Sequence, residues 1–331
     1  MTGPRPDVSV VIPTRDRIDL LKETLESVLA QVDVELEVIV VDDGSSQDVA
    51  AVLDELDDDR VRLLRNDDSM GVSAARNRGI EAASAPWVAC VDDDDLWAPE
   101  KLRLQLDAGG ASGRSWVYVG AVNVTPRLRV VAGAEPMAPE EVASRIRSVN
   151  LVPGGASGVL MKRDVALRIG GFDGSFHHFA DWDLWMRLAE EGPPAWVPRP
   201  LIAYRVHQSN IAIKGAGDVD ADLRLFSERG LSVDRTPIYR WLGWWARRGG
   251  RPIKAIRYLA RAGRVNAGDY SVGELLRDSA YIARESAERF RLRYLKRIVR
   301  RRLISGRPGG DPKWIAEAEQ WVRRLRVPFV D

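Results

Sequence analysis

Cysteine is almost absent: Cys90 stands alone in 331 residues. A single thiol excludes an intrachain disulfide framework and any zinc site built on cysteine. Long apolar runs are missing too, and no uncharged stretch approaches the roughly 18–20 residues that a membrane span needs. Arg15, Asp16, Arg17 and Asp19 interrupt the first thirty residues, so no apolar core of a secretory signal is expected there. A reducing cytoplasm is the expected compartment. Net charge is nearly lacking, at +1, but that balance hides two opposite parts. Residues 1–220 hold 23 Lys and Arg against 36 Asp and Glu, and residues 221–331 hold 26 against 12. The acidic part calls for a cation if it is to bind an anionic ligand, and the basic last third suits phosphate-bearing surfaces. Lysine is scarce beside arginine, 7 against 42, the usage of a high-GC bacterial genome.

What is present reads as an ordinary globular chain, 45% hydrophobic and 29% charged, and long enough for two domains. Short β-branched runs alternate with helical spacing through the first hundred residues. Strands are expected at Val8–Ile12, Leu36–Val41, Val61–Leu64 and Trp87–Val91. Helices are expected at Ile18–Gln31, Asp48–Leu56 and Val72–Ala83. Continuous apolar strands separated by amphipathic helices predict an α/β fold with a mostly parallel central sheet covered on both faces. Further on, Trp116–Val124, Val159–Met161 and Leu201–Val206 read as strands and Ala180–Glu191 as a helix. After about residue 215 the chain turns to helices rich in Arg, Ala, Leu and Trp, with Trp241–Ala267 reading as a helical hairpin. The expected division is residues 1–215 and a basic helical region, 216–331.

In an open parallel sheet, ligands bind beyond the carboxyl ends of the strands. Three expected strands end in informative residues: Pro13-Thr14-Arg15-Asp16-Arg17, Asp42-Asp43-Gly44-Ser45 and Asp92-Asp93-Asp94-Asp95. Four adjacent carboxylates repel one another. A bound divalent cation would offset that, and hard oxygen ligands suit Mg²⁺ or Mn²⁺. A solvated acidic turn, with Asp95 capping the next helix, is the plainer alternative. The Asp42-Asp43 turn also reads as an ordinary Asp/Gly turn. Gly71–Gly79 opens a helix with small residues and with Arg76 and Arg78, either to face an anion or to pack closely. Trp182, Trp185 and Met186 share one helical face and read as core. Asp181 on its own reads most simply as the N-cap of its helix.

Taken in order, Val-Ser-Val-Val-Ile-Pro-Thr (8–14), Val-Val-Asp-Asp-Gly-Ser (40–45), Gly-Val-Ser-Ala-Ala-Arg-Asn-Arg-Gly (71–79) and Val-Asp-Asp-Asp-Asp-Leu-Trp-Ala-Pro-Glu-Lys-Leu (91–102) resemble the family 2 glycosyltransferases of the GT-A fold. Gly170-Gly171-Phe172-Asp173, Asp181-Trp182-Asp183-Leu184-Trp185 and Tyr204-Arg205-Val206-His207 extend the resemblance to about residue 210. It implies an inverting, metal-dependent transferase. Its donor would be a nucleoside diphosphate sugar, a UDP-sugar first of all, and its acceptor a glycan, a lipid-linked intermediate or a small molecule. By the same resemblance Asp43 would meet the uracil edge, with Pro13, Thr14 and Arg15 beside base and ribose. Arg76, Asp92 and Asp93 would also lie at the nucleotide. Asp92 and Asp94 match the Asp-X-Asp motif that holds Mn²⁺ or Mg²⁺, and His207 would complete the metal site. Asp181 matches the catalytic base. Many relatives carry Tyr where Arg15 stands and Glu where Ala180 stands.

Two other readings compete: a sugar-phosphate nucleotidyltransferase, whose Gly-rich phosphate loop is replaced here by Pro13–Arg17, and a non-catalytic sugar-nucleotide-binding scaffold. No nucleic-acid partner is expected. The basic segment 290–303 carries an apolar stripe, Leu292, Leu295, Val299 and Leu303, flanked by arginine. It reads either as a helix docked on its own domain or as peripheral contact at the inner face of a membrane.

Overall fold

The computed structural model describes residues 5–207, 219–248, 252–265 and 310–325. The chain falls into two units, one of residues 1–146, 150–206 and 308–331, the other of residues 147–149 and 207–307.

The first unit is built on one sheet. Strand β1 (Val8–Thr14) is buried at every position, because helices cover both of its faces. Helix α1 (Ile18–Leu29) buries Leu21, Leu25 and Val28, one turn apart. Strand β2 (Leu36–Asp43), helix α2 (Val49–Leu56), strand β3 (Val61–Asn66), helix α3 (Val72–Ala82) and strand β4 (Trp87–Cys90) repeat the alternation. Asp48 caps α2 by accepting from the Ala51 N–H at 3.1 Å. The rest of the unit comprises β5 (Leu96–Trp97), α4 (Lys101–Ser112), β6 (Trp116–Val124), β7 (Val130–Ala134), α5 (Pro139–Arg145), β8 (Val159–Lys162), α6 (Arg163–Arg168), α7 (Ala180–Glu191) and β9 (Ala195–Arg205).

The strand order is β3-β2-β1-β4-β8-β6-β9-β5, with β7 on the side of β6. Strands β1, β2, β3, β4, β6 and β9 run one way, and β5, β7 and β8 run against them. The sheet is therefore mostly parallel, as the apolar runs predict. Because β2, β1 and β4 are neighbours, their carboxyl ends bring Asp43, Thr14 and the Asp92–Asp95 loop to one edge. Gly79 matters to that edge: a Cβ there would run into the Val11 side chain. With no side chain at Gly79, α3 lies flat on β1 and carries Arg76 to the end of β4.

Two features differ from the sequence expectation. Strand β9 starts six residues earlier than the apolar run suggests. Pro198 and Pro200 break the run, and the sheet absorbs them with register shifts around Gly120 of β6. The second difference is the C-terminal helix α11 (Pro312–Val322). It was expected within the basic helical region, but it belongs to the first unit. Trp314 is buried over Gly120 and Gly133, where side chains would collide with its indole. Its Nε1 donates to the Ala121 carbonyl at 3.2 Å, and Trp321 Nε1 donates to the Pro200 carbonyl at 2.8 Å. The first unit's main run also ends at 206 rather than 215.

The described part of the second unit is helical: α8 (Val219–Glu228), α9 (Arg235–Arg248) and α10 (Pro252–Val265). Helices α9 and α10 form the expected hairpin, with Tyr239 and Tyr258 stacked at 6.4 Å. The segment 290–303 lies outside the described residues. No helix among the described residues is long and apolar enough to cross a membrane.

Candidate active site

Asp43 closes β2 under a dense set of donors. Its carboxylate accepts from Asn66 Nδ2 at 2.7 Å, Ser69 Oγ at 2.7 Å, the Met70 N–H at 2.8 Å and the Gly71 N–H at 2.9 Å. Burial opposes its ionisation, but these four bonds outweigh burial and hold the carboxyl below its ordinary value. Four bonds approach the capacity of a carboxylate, so Asp43 fixes the loop between β3 and α3. Gly44 makes the turn possible: it takes a φ of +73° and stands where a Cβ would lie 2.9 Å from the Ser69 nitrogen. Arg15 is exposed beside this turn, and Asp16 ties the first loop to the second by accepting from the Ser46 N–H and hydroxyl, each at 2.7 Å.

The end of β4 is different in kind. Asp93 is buried and accepts from Thr14 Oγ1 at 2.8 Å and Arg17 Nη1 at 3.0 Å. Burial, and then the neighbouring Asp94, push its carboxyl up to about 6. Arg17 also reaches Asp94, at 2.9 Å. Asp92 is partly exposed and pairs with Arg76, which is buried under the Phe172 ring at 5.0 Å. Among the described residues, the buried Arg76 Nε has no hydrogen-bond partner. Asp95 is fully buried, accepting from Ser157 Oγ at 2.6 Å and from the Arg205 N–H at 3.1 Å. Burial and then Asp94 raise its carboxyl well above the ordinary range. Asp95 is not the helix cap that its place in the sequence suggests: α4 starts after Glu100, with no side-chain cap. Its role is instead to hold the loop, together with Arg205, whose Nε donates to the Asp94 carbonyl at 3.1 Å.

Oxygens of Asp92, Asp94 and Asp95 lie within 4.8 Å of one another. An all-oxygen set of this kind fits Mg²⁺ or Mn²⁺, and the raised carboxyls of Asp93 and Asp95 mark charge that the protein alone neutralises poorly. The group differs from the sequence expectation in two members: Asp95 joins Asp92 and Asp94, and His207, which is among the described residues, is not in it. His207 begins the second unit, two residues beyond Arg205.

Asp181 sits in the first turn of α7, where Phe179 is the N-cap and makes no side-chain bond. The cap reading of Asp181 is thus corrected. Its Oδ1 accepts from the Trp182 N–H at 2.7 Å, and Gly155 leaves room for its Oδ2, since a Cβ there would stand 3.2 Å away. Burial raises its carboxyl to about 6. Trp182 and Arg76 pull it down, and the charge of Asp92 pushes it up. Asp181, Arg76 and Asp92 thus form one electrostatic group. Beneath them Trp182 and Trp185 are buried, the latter stacked on Trp116 at 6.3 Å, as a core face should be.

Arg17, Ser157, Tyr204 and Arg205 complete this edge and have no signal in spacing alone. Desolvation, and then the charges of Asp95, Asp94, Asp92 and Asp181, raise the phenol of the half-buried Tyr204 well above its ordinary value and keep it neutral. Asn77 pins the Gly170–Asp173 turn by bonding the Phe172 N–H at 2.7 Å and its carbonyl at 2.8 Å.

The family model for glycosyl transferase family 2 matches residues 9–166. The UDP-Glc:alpha-D-GlcNAc-diphosphoundecaprenol beta-1,3-glucosyltransferase WfgD of Escherichia coli is 28% identical over 207 residues, 62% of this chain and 79% of that protein. A higher identity, 40% over 108 residues, spans only 31% of another curated relative's length. Among solved structures, S. aureus TarS 1–349 in complex with UDP-GlcNAc superposes with a TM-score of 0.57 at 16% identity, over 86% of this chain and 91% of that one. The mannosyltransferase PcManGT from Pyrobaculum calidifontis, in complex with GDP-Man and Mn²⁺, gives 0.54 at 17%, over 99% and 88%. These likenesses establish the GT-A fold. Residues 9–166 form a glycosyl transferase family 2 domain.

Proposed function

We propose that the chain moves a sugar from a nucleoside diphosphate sugar, a UDP-sugar, to an acceptor hydroxyl, with inversion at the anomeric carbon. The acceptor is a glycan, a lipid-linked intermediate or a small molecule. The observation that carries the reading is Asp181, a carboxyl raised to about 6 beside the Arg76–Asp92 pair. A base is most effective when it titrates near the working pH. Asp181 takes the proton from the acceptor hydroxyl as that oxygen bonds to the anomeric carbon and the bond to the diphosphate breaks.

Asp92 and Asp94, with Asp95 behind them, would hold Mn²⁺ or Mg²⁺, and His207 is proposed as a further ligand. When bound, such a cation neutralises charge on the departing nucleoside diphosphate. Arg17 and Arg76, which face these carboxylates, supply positive charge at the same edge. The base is proposed to lie at the loop that Asp43 holds, with Pro13, Thr14 and Arg15 beside base and ribose. Asp93 supports that place through its bonds to Thr14 and Arg17. WfgD's named UDP-Glc donor and TarS's bound UDP-GlcNAc support a uridine donor, and the Mn²⁺ in PcManGT supports the cation. Peripheral membrane contact through 290–303 would serve a lipid-linked acceptor.

The test is a thermal-shift screen of nucleotide sugars with Mn²⁺, followed by assay of nucleoside diphosphate release with candidate acceptors. A uridine sugar should raise the melting temperature most. No shift with any nucleotide sugar, with or without Mn²⁺, would refute the reading. Binding without turnover on any acceptor would leave the scaffold alternative.

A further inference from the structure

The two helices of the α9–α10 hairpin bury one face of each against the other. Ile238, Tyr239, Leu242 and Ala246 of α9, and Ala255, Tyr258, Leu259 and Ala262 of α10, are buried. Yet three of the six large apolar side chains exposed among the described residues are in this pair of fourteen-residue helices: Trp241 at 38%, Ile253 at 70% and Ile256 at 37%. Ile253 and Ile256 are three residues apart, on one stripe of α10 that the half-buried Ala260 continues. This second apolar stripe points away from the hairpin's own core.

The charge around it is of one sign. Residues 235–265 contain eight Arg and one Lys and no Asp or Glu. Lys254, Arg257 and Arg261 stand on α10 beside the isoleucines. One of these charges is met from outside the hairpin, where Arg261 reaches Asp220 of α8 at 3.2 Å. Scattered exposed isoleucines are unremarkable singly. A stripe of them set among cations, on two helices that carry no acidic residue, is the composition of a surface that lies on anionic lipid, with apolar side chains entering the acyl boundary and arginines at the phosphates.

We infer that the α9–α10 hairpin is a docking surface for an anionic bilayer, with Ile253 and Ile256 as its inserted residues and Lys254 and Arg257 among its headgroup contacts. Charge complementarity selects this occupant. A nucleic acid would use the cations but leave the isoleucines without a role. The surface lies in the second unit and does not depend on the reading of the Asp-rich site.

The test uses the full chain. It is sedimented with vesicles of phosphatidylcholine alone and of phosphatidylcholine with phosphatidylglycerol, at low and high salt. The expected result is binding to the anionic vesicles only, weakened by salt. Ile253→Ser/Ile256→Ser should reduce the partition coefficient about tenfold, and Lys254→Gln/Arg257→Gln about tenfold or more. Circular dichroism confirms that each variant is folded, and the nucleotide-sugar thermal shift on the same samples reports the Asp-rich site separately. Three results would overturn the inference. One is no sedimentation of the wild-type chain with anionic vesicles. Another is wild-type partitioning by both double variants, which would move any binding to another segment such as 290–303. The third is salt-dependent binding to a duplex oligonucleotide in the absence of vesicle binding.

Discussion

Two acidic strand ends flank β1 on this sheet, and the protein treats them in opposite ways. At the end of β2, Asp43 receives four donors, two of them backbone N–H groups, and is held ionised below its ordinary value. At the end of β4, four aspartates share Arg17, Arg76, Thr14 and Ser157, and burial pushes Asp93 and Asp95 up. A carboxylate surrounded by donors is already stabilised as an anion, and it organises a loop. A cluster in which Asp93 and Asp95 are driven toward protonation is unfinished, and a cation would complete it. Asp-rich sequence is common to both ends, so the number of donors per carboxylate is what sets apart the end proposed to hold a cation.

The largest effect that would test this contrast belongs to the third carboxylate of the edge. Asp181→Asn should lower transfer by about 10²–10⁴-fold while nucleotide and Mn²⁺ still bind. Wild-type turnover should fall as pH drops through about 6, where Asp181 takes up its proton. The same variant should not be less stable. The folded chain holds this proton more tightly than an unfolded one, whose aspartate titrates near 3.8. Stability from Asp181 is therefore present at low pH and lost as pH rises through about 6. Asn removes that cost and should gain about 1–2 kcal/mol at pH 8. A variant that loses both stability and activity would reduce Asp181 to a structural member of α7.

Next in size is the cluster itself. Asp94→Asn should lower activity by about 10²–10³-fold through loss of Mn²⁺ affinity, an effect of several kcal/mol. Protons and metal compete for the raised carboxyl of Asp95, so Mn²⁺ should raise the melting temperature of the wild-type chain more at pH 8 than at pH 5. Equal shifts at the two values would remove the cation from this edge. His207→Ala belongs to the same titration: weaker Mn²⁺ binding with the fold intact is expected, and unchanged affinity excludes it as a ligand.

Asp43→Asn tests the other end. Losing the charge and one acceptor oxygen under four donors should cost about 2–3 kcal/mol of stability, read by denaturant unfolding. Mn²⁺ affinity should hold. A variant as stable as wild type would mean that the loop from Asn66 to Gly71 does not depend on its anchor.

Much of this architecture is legible in the sequence, for a physical reason. Strands covered on both faces are continuous apolar runs, so β1, β2 and β4 declare themselves, and with them the edge where Asp43 and Asp92 stand. Strand β9 is understated because Pro198 and Pro200 interrupt its run while bulges preserve its pairing. Helix α11 is misassigned because its partners, Gly120 and Gly133, lie nearly two hundred residues away and signal nothing locally. The same distance hides Ser157 and Arg205, which reach Asp95 across 62 and 110 residues. Family motifs name the ligands of a site, while the residues that hold those ligands in place are visible only once the sheet is assembled.

The smallest effect separates an anchor from a ligand within the cluster. Ser157 joins both sides of the loop: its hydroxyl donates to Asp95 at 2.6 Å and accepts the Asp92 N–H at 3.1 Å. Asp95 has a second donor in the Arg205 N–H, and that strand is tied to Asp94 as well. Ser157→Ala therefore leaves the loop held from the β9 side, while a buried carboxyl loses one bond and becomes still easier to protonate. If Asp95 serves the loop and Asp92 and Asp94 meet the cation, the variant should lose about 1–2 kcal/mol of stability, with Mn²⁺ affinity changed by less than about threefold. If Asp95 is itself a ligand, its altered protonation should appear in the metal titration, and affinity should fall about tenfold or more as pH drops from 8 to 6. Calorimetric Mn²⁺ titration of wild type and Ser157→Ala at those two pH values decides between them.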